Sequence, residues 1–355
     1  MMAACASVGP PVPPSLELPK PPADLHAARK GDKVTLTWTI PARTTDRQRV
    51  RYLGATNICR GAVAILKECG TAIGGVAAPA DFAHRPSRDA KMPSSYVDTL
   101  PSSLEQADPR GSVTYAVSVE NTDRRAAGLS NQVHVALVPT LAPFADLTAT
   151  VGASGIALSW KCPASAEGVR GVKYLFRIYR RLESESKDGK LTEVQATDCA
   201  NSQPAPPAED SYLDQNFEWE KTYVYHGAVV SVIGVPGKNA VEVEGDDTPA
   251  ITAFAHDVFP PAVPSGLQAV FSGPGQSPFI DLIWTPDTDA DLDGYTVYRR
   301  EEGGAEVKLN PAPVKTPAYR DTQVEPGKTY FYSVSAVDAR SNESARSQEA
   351  SERVP

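Results

Sequence analysis

The chain has 355 residues, 41 % of them apolar, enough for two or three domains with real cores. Its net charge of −8, from 43 acidic and 35 basic residues, speaks against nucleic acid, whose affinity comes from counterions released by Lys and Arg. It also speaks against broad binding to an anionic membrane surface. The 32 prolines and 25 glycines predict many turns and little helix. No run approaches the roughly 18 consecutive apolar residues of a spanning helix.

The chain begins Met1-Met2-Ala3-Ala4-Cys5-Ala6-Ser7. Small residues ahead of a cysteine resemble a bacterial lipobox, in which the Cys is lipidated. Met2 stands where Leu is usual, and no basic and apolar signal region precedes it. Either the true start lies upstream, inside such a region, or Cys5 is an accident. Pro10, Pro11, Pro13, Pro14, Pro19, Pro21 and Pro22 follow. Such a segment favours polyproline II, and at about 3.1 Å per residue it would act as a stiff tether roughly 50 Å long. By the lipoprotein resemblance, Cys5 is the lipidation site. Ala6 after it implies the outer membrane.

From residue 22 onward one pattern repeats three times. Val34-Thr-Leu-Thr-Trp38, Ile156-Ala-Leu-Ser-Trp160 and Ile280-Asp-Leu-Ile-Trp284 alternate apolar and other residues, each with a proline shortly after. That is a half-buried strand running into a loop. The tryptophans recur at intervals of about 120 residues, the mark of a repeat. Short proline-marked strands precede them at Ala23-Asp-Leu25, Phe144–Ala149 and Pro264–Ala269. Late Tyr-rich strands follow at Val113–Asn121, Thr222–Tyr225 and Thr329–Asp338.

The last repeat closely resembles a fibronectin type III domain. It has Pro264 and Leu267 in a first strand, Trp284 in the second, then Pro326-Gly327-Lys-Thr-Tyr330 and alternating Tyr332, Val334 and Ala336. The resemblance implies three tandem all-β, antiparallel sandwiches over residues 22–139, 140–258 and 259–355, after a lipobox remnant and tether at 1–21. Trp38, Trp160, Trp284, Tyr223 and Tyr330 are the implied core signature. Tyr330 is the candidate corner hydroxyl bonded to nearby backbone. In the first repeat Val113 rather than Tyr aligns with that corner.

The first two repeats are longer between the Trp strand and the late strand, at about 61–93 and 183–210. Long hairpin loops are expected there, and loops are also where sandwiches place binding function. Cys59 and Cys69 lie in the first repeat, Cys162 and Cys199 in the second. One disulfide in each is expected, against the alternative of reduced thiols in a cytosolic chain.

Asp289-Ala-Asp291-Leu-Asp293-Gly294 begins like a calcium loop. An EF-hand needs Glu at its twelfth position, where Arg300 stands, and no helices flank it. A solvated acidic loop is expected, with a calcium site from Asp289, Asp291 and Asp293 as the alternative. Arg43, Arg47, Arg49 and Arg51 crowd one loop and suit an anionic polysaccharide or phosphate, or simply water. Lys30-Gly31-Asp32 is a hairpin turn, and Gly327-Lys328-Thr329 lacks the first glycine of a phosphate loop. Trp219, outside the repeated strand, is either an exposed sugar platform or packed beside Tyr223.

No HExxH, GxSxG or nucleophile–base pattern is present, so no catalytic residue, enzyme activity or cofactor is expected. The expected function is a cell-surface or periplasmic spacer or adhesion module for a protein or glycan partner. Its membrane attachment would come from a lipid anchor rather than a spanning helix. A carbohydrate-binding accessory protein is the alternative.

Overall fold

The computed structural model describes residues 16–82, 91–162, 171–195, 209–235, 238–273, 275 and 277–355. Its regular elements are strands, apart from the short helix α1 (Ser102–Ala107).

The first stretch holds β1 (His26–Lys30), β2 (Lys33–Thr39), β3 (Leu53–Gly61), β4 (Gly74–Val76), β5 (Pro93–Thr99), β6 (Ser112–Asn121) and β7 (Val133–Ala136). They form two antiparallel sheets, β1-β2-β5 and β4-β3-β6-β7. The alternation in β2 decides its facing: Val34, Leu36 and Trp38 point inward. They meet Ile58, Val113, Tyr115, Val117 and Val135 from the other sheet. Each large apolar side chain so buried contributes about 1.5–3 kcal/mol.

The second stretch holds β8 (Ala145–Gly152), β9 (Gly155–Lys161), β10 (Lys173–Leu182), β11 (Gly189–Gln195), β12 (Glu209–Asp214), β13 (Thr222–Val235), β14 (Lys238–Asp247) and β15 (Ile251–Phe254). Its sheets run β12-β9-β8 and β11-β10-β13-β14, with β15 also on β13. The aromatic centre is Phe144, Trp160 and Phe176, with ring centroids 5.3–5.8 Å apart.

The third stretch holds β16 (Gln268–Phe271), β17 (Ile280–Ile283), β18 (Leu292–Glu301), β19 (Val307–Lys308), β20 (Ala318–Asp321), β21 (Thr329–Asp338) and β22 (Ala350–Arg353). The sheets are β16-β17-β20 and β19-β18-β21-β22. Trp284 stands edge-on to Tyr295 at 5.2 Å, among Ile280, Leu282, Tyr330, Tyr332 and Val334. The Tyr330 hydroxyl accepts the Glu325 N–H at 3.0 Å, which ties the strand to the turn before it.

Packing divides the chain into two compact units. Unit 1 is Met1–Ala149, Leu158–Tyr212 and Tyr223–Ala253; unit 2 is Thr150–Ala157, Leu213–Thr222 and Phe254–Pro355. Within unit 1 the β1–β2 turn docks on β14. The Gly31 N–H donates to the Glu244 carbonyl at 2.7 Å, and Lys30 Nζ lies 2.6 Å from Asp247. Gly31 has φ +59°, and a Cβ there would lie 2.8 Å from the Asp246 carboxylate. The Lys-Gly-Asp turn is therefore a joint inside unit 1.

One difference from the sequence concerns the tether. Residues 18–20 are not a free spacer. The Lys20 N–H donates to the Arg43 carbonyl at 2.9 Å, and the Thr45 N–H donates to Leu18 at 3.0 Å. Pro19 and Pro22 are buried. A polyproline-type backbone leaves its carbonyls and remaining N–H groups unpaired, and here a neighbouring loop uses them.

Candidate functional site

The most organised loop lies between β3 and β4. Cys59 on β3 is fully buried and disulfide-bonded to Cys69, with Cα atoms 4.9 Å apart. Within the closed loop, Gln132 grips Leu66 twice. Its Oε1 accepts the Leu66 N–H at 2.9 Å, and its Nε2 donates to the Leu66 carbonyl at 2.8 Å. The Thr114 hydroxyl donates to the Val63 carbonyl. Gly61 makes room for this fold-back, since a Cβ there would lie 2.7 Å from the Leu66 side chain.

These anchors hold an apolar tip in water. Val63 is 52 % exposed and Ile65 73 %. Residues 62–66 are Ala-Val-Ala-Ile-Leu, with no titratable group among them. Such a tip can bury apolar area against a partner, and its bracing reduces the ordering entropy that binding costs. It offers no acid, base or nucleophile.

The four arginines occupy the exposed loop between β2 and β3. Arg43 and Arg49 face each other as bridge partners, around a turn in which Thr44 Oγ1 bonds Asp46 and the Gln48 N–H. Trp219 is half-buried, with ring centroids 4.7 Å from Phe217 and 6.0 Å from Phe259. The ring contacts shown for it are thus to these two phenylalanines, rather than to Tyr223 as the sequence suggested. Tyr223 is buried, under the Arg180 guanidinium at 5.1 Å.

The acidic motif separates in space. Asp289 accepts the Ala262 N–H at 2.8 Å, and Asp293 pairs with Lys315. Asp291 instead joins Asp257 and Asp338, with one oxygen from each within 4.8 Å of the others. Burial raises the Asp291 carboxyl above its ordinary value, and the neighbouring Asp257 and Asp338 add to the rise. Arg340 supplies the counter-charge, 3.1 Å from Asp257 and 3.6 Å from Asp291. On the segment that crosses from β17 in one sheet to β18 in the other, Asp289, Asp291 and Asp293 thus have different partners rather than one shared cup. Cys162 is disulfide-bonded, while Cys5 and Cys199 lie outside the described residues.

Two polar constellations were not read from the sequence. In unit 1, Arg60 Nη1 and Tyr115 Oη both donate to Asp98 Oδ2, at 2.5 and 2.6 Å. In unit 2, Arg299 Nη1 and Tyr332 Oη donate to Asp321 Oδ2, at 2.8 and 2.9 Å. Arg60↔Tyr115 and Arg299↔Tyr332 are cross-strand partners. Burial, reinforced by the aspartate charge, holds both phenols protonated well above their ordinary range. The available signal was an Arg ending the third strand and an Asp ending the strand before the late tyrosines. These are structural locks, since each charge is spent on another.

No family model matches the chain. An amylopullulanase of Thermoanaerobacterium saccharolyticum is 35 % identical over 129 residues, 36 % of this chain and 9 % of that protein. A second amylopullulanase, from Thermoanaerobacterium thermosulfurigenes, is 35 % identical over 120 residues, 34 % of this chain and 6 % of that protein. The chain thus matches less than a tenth of the length of these curated relatives. Among solved structures, an Fn3-like protein from Clostridium thermocellum is 32 % identical, with 27 % of this chain covering 96 % of that one and a TM-score of 0.24. The chain carries a fibronectin type III-like domain. The FN1–FN3 domains of chicken CNTN1 are 12 % identical, over 95 % of this chain and 99 % of that one, with a TM-score of 0.25. On this all-β scaffold the braced tip at 62–66, the arginine loop and the Trp219 aromatic group are all borne by loops. Loops are where such scaffolds carry recognition.

Proposed function

We propose that the chain is a non-catalytic spacer and protein-interaction module of the cell surface or periplasm. In this reading its three sandwiches, over 22–139, 140–258 and 259–355, are held at a membrane by a lipid on Cys5. The observation that carries the interaction role is the disulfide-braced loop with Val63 and Ile65 exposed. A tip that costs solvation and is held by a disulfide and three side-chain hydrogen bonds is pre-organised for a partner. The bonded Cys59, Cys69 and Cys162 support an oxidising compartment.

Photo-crosslinking from position 64 on intact cells tests the interaction role. A discrete crosslinked partner, lost in Val63→Glu/Ile65→Glu chains that keep their melting temperature, is expected. Crosslinking that is diffuse, or unchanged by the substitutions, overturns it. The anchor is read separately: Cys5→Ser is expected to move the chain from the membrane to the soluble fraction.

A second reading, a carbohydrate-binding accessory protein, draws on the identity to amylopullulanase segments and on the half-exposed Trp219 group. It predicts retardation in native gels containing amylose or pullulan. Trp219→Ala is expected to abolish that retardation, since one stacked aromatic face is lost. Equal mobility with and without glucan would exclude this reading.

A further inference from the structure

The braced tip has a recess beside it. Val113 of β6 and Val135 of β7 are cross-strand partners in the core. By the period of two, Ser112, Thr114, His134 and Ala136 therefore share the outward face of that sheet. The tip is pinned to this face. The Thr114 hydroxyl donates its one proton to the Val63 carbonyl, so at 3.0 Å the His134 Nδ1–H donates to the Thr114 oxygen. His134 thus takes part in bracing the tip. Together with Ser112 and Ala136 it also lines a cleft of about 530 Å³.

The far wall of the cleft is the β13–β14 hairpin of the same unit 1. Ile233 and Val241 are cross-strand partners and Val243 lies two residues on, so the three share one face. The Ser231 hydroxyl, opposite Val243, donates to the Pro139 carbonyl at 2.8 Å and holds that face against the chain after β7. The walls are mainly apolar, and Val241 remains 43 % exposed.

Tip and cleft have matching chemistry. Residues 62–66 carry no titratable group. The Val63 carbonyl and both backbone groups of Leu66 are already bonded to Thr114 and Gln132, so their burial strands no polar atom. Lys67 and Glu68 follow the tip and are exposed. Arg110 and Glu242 line the cleft, with Arg177 on Glu242 at 2.8 Å. Both signs are present on each side, so opposite charges can face each other and no single-sign field opposes the approach of an identical chain.

We propose that the tip's partner is a second copy of this chain, in a two-fold dimer in which the tip of each copy fills the cleft of the other. The proposal rests on the interaction reading above and names its partner. A protrusion and a recess side by side can be paired twice about a two-fold axis, which closes at two copies; paired once, they would run on into a filament. A different partner that takes only the tip leaves the apolar walls of the cleft in water, whereas the two-fold contact buries both surfaces of both copies.

The test is sedimentation velocity of the purified full chain carrying Cys5→Ser, which removes any association driven by lipid. A dimer at micromolar concentration is expected. Val63→Glu/Ile65→Glu and, separately, Val241→Glu are each expected to weaken it at least about a hundredfold, since a charge then replaces apolar contact in both halves of the interface. These three side chains are exposed, so the substitutions leave the core intact. The decisive sample is an equal mixture of the two variants. It keeps one intact tip facing one intact cleft, so a mixed dimer is expected to be tighter than either variant with itself. Misfolding or a tip-to-tip contact gives no such rescue. A wild-type surface that stays monomeric, a dimer untouched by the variants, or variants that fail to complement each overturn the proposal. The sample holds this chain alone, so its result is read apart from the crosslinking on cells. There, a discrete crosslink to a different protein keeps the interaction role and removes the second copy.

Discussion

Asp321→Ala is expected to destabilise the paired sheets β16-β17-β20 and β19-β18-β21-β22 by about 3–5 kcal/mol, the range for removing one partner of a buried ion pair. Asp321 is 3 % exposed. It accepts from Arg299, from the Tyr332 hydroxyl and from the Gln323 N–H. Its loss leaves a guanidinium with a 16 % exposed side chain and a fully buried phenol short of their acceptor. Tyr332→Phe removes only one donor and leaves Asp321 paired, so about 1 kcal/mol is expected. Hydrogen exchange of the β21 amides measures both locally, which matters in a chain with several cooperative units. A loss below 1 kcal/mol for Asp321→Ala would show that water replaces the carboxylate. The same lock sets an alkaline limit. Because the folded Tyr332 value is raised, by burial first and then by Asp321, its contribution is complete below the ordinary phenol value near 10. It is lost as pH rises toward the folded value.

Cys59→Ala/Cys69→Ala is expected to cost unit 1 about 3 kcal/mol, the chain-entropy figure for a loop of roughly ten residues. The effect should be largely local. Gln132 still grips Leu66, but the unfolded loop regains its freedom and Val63 and Ile65 lose their fixed presentation. Calorimetry of the oxidised and doubly substituted chains gives the stability change. Exchange protection of the Leu66 amide gives the loop order. An unchanged melting temperature together with unchanged protection would show that Gln132 and Thr114 alone hold the tip, and that the disulfide adds nothing to its pre-organisation.

Much of the fold follows from local pattern. Alternation around Trp38, Trp160 and Trp284 names the inward face of three strands, because side chains on a strand alternate with period two. Pro326-Gly327 and Tyr330 name a turn and a corner, because their chemistry acts within a few residues. Cys59 and Cys69 were close enough in sequence to be paired by grouping. The DxDxDG spacing was equally visible and led elsewhere: Asp291 meets Asp257 and Asp338, which lie on other segments. Arg60, Asp98 and Tyr115 come from three strands and meet only through strand register and the closing of two sheets. Residues 16–20 likewise meet the loops after β2 and β6 only in the folded chain.

The sequence by itself determined the β class, the repeated strands and the inward faces, since each depends on periodicity and turn chemistry a few residues long. Tertiary structure alone decided which charges neutralise one another, which proline segment is held, and which loops share an end. Those outcomes depend on pairings across a hundred residues or more, such as Leu16 with Asn121, and no local pattern encodes them.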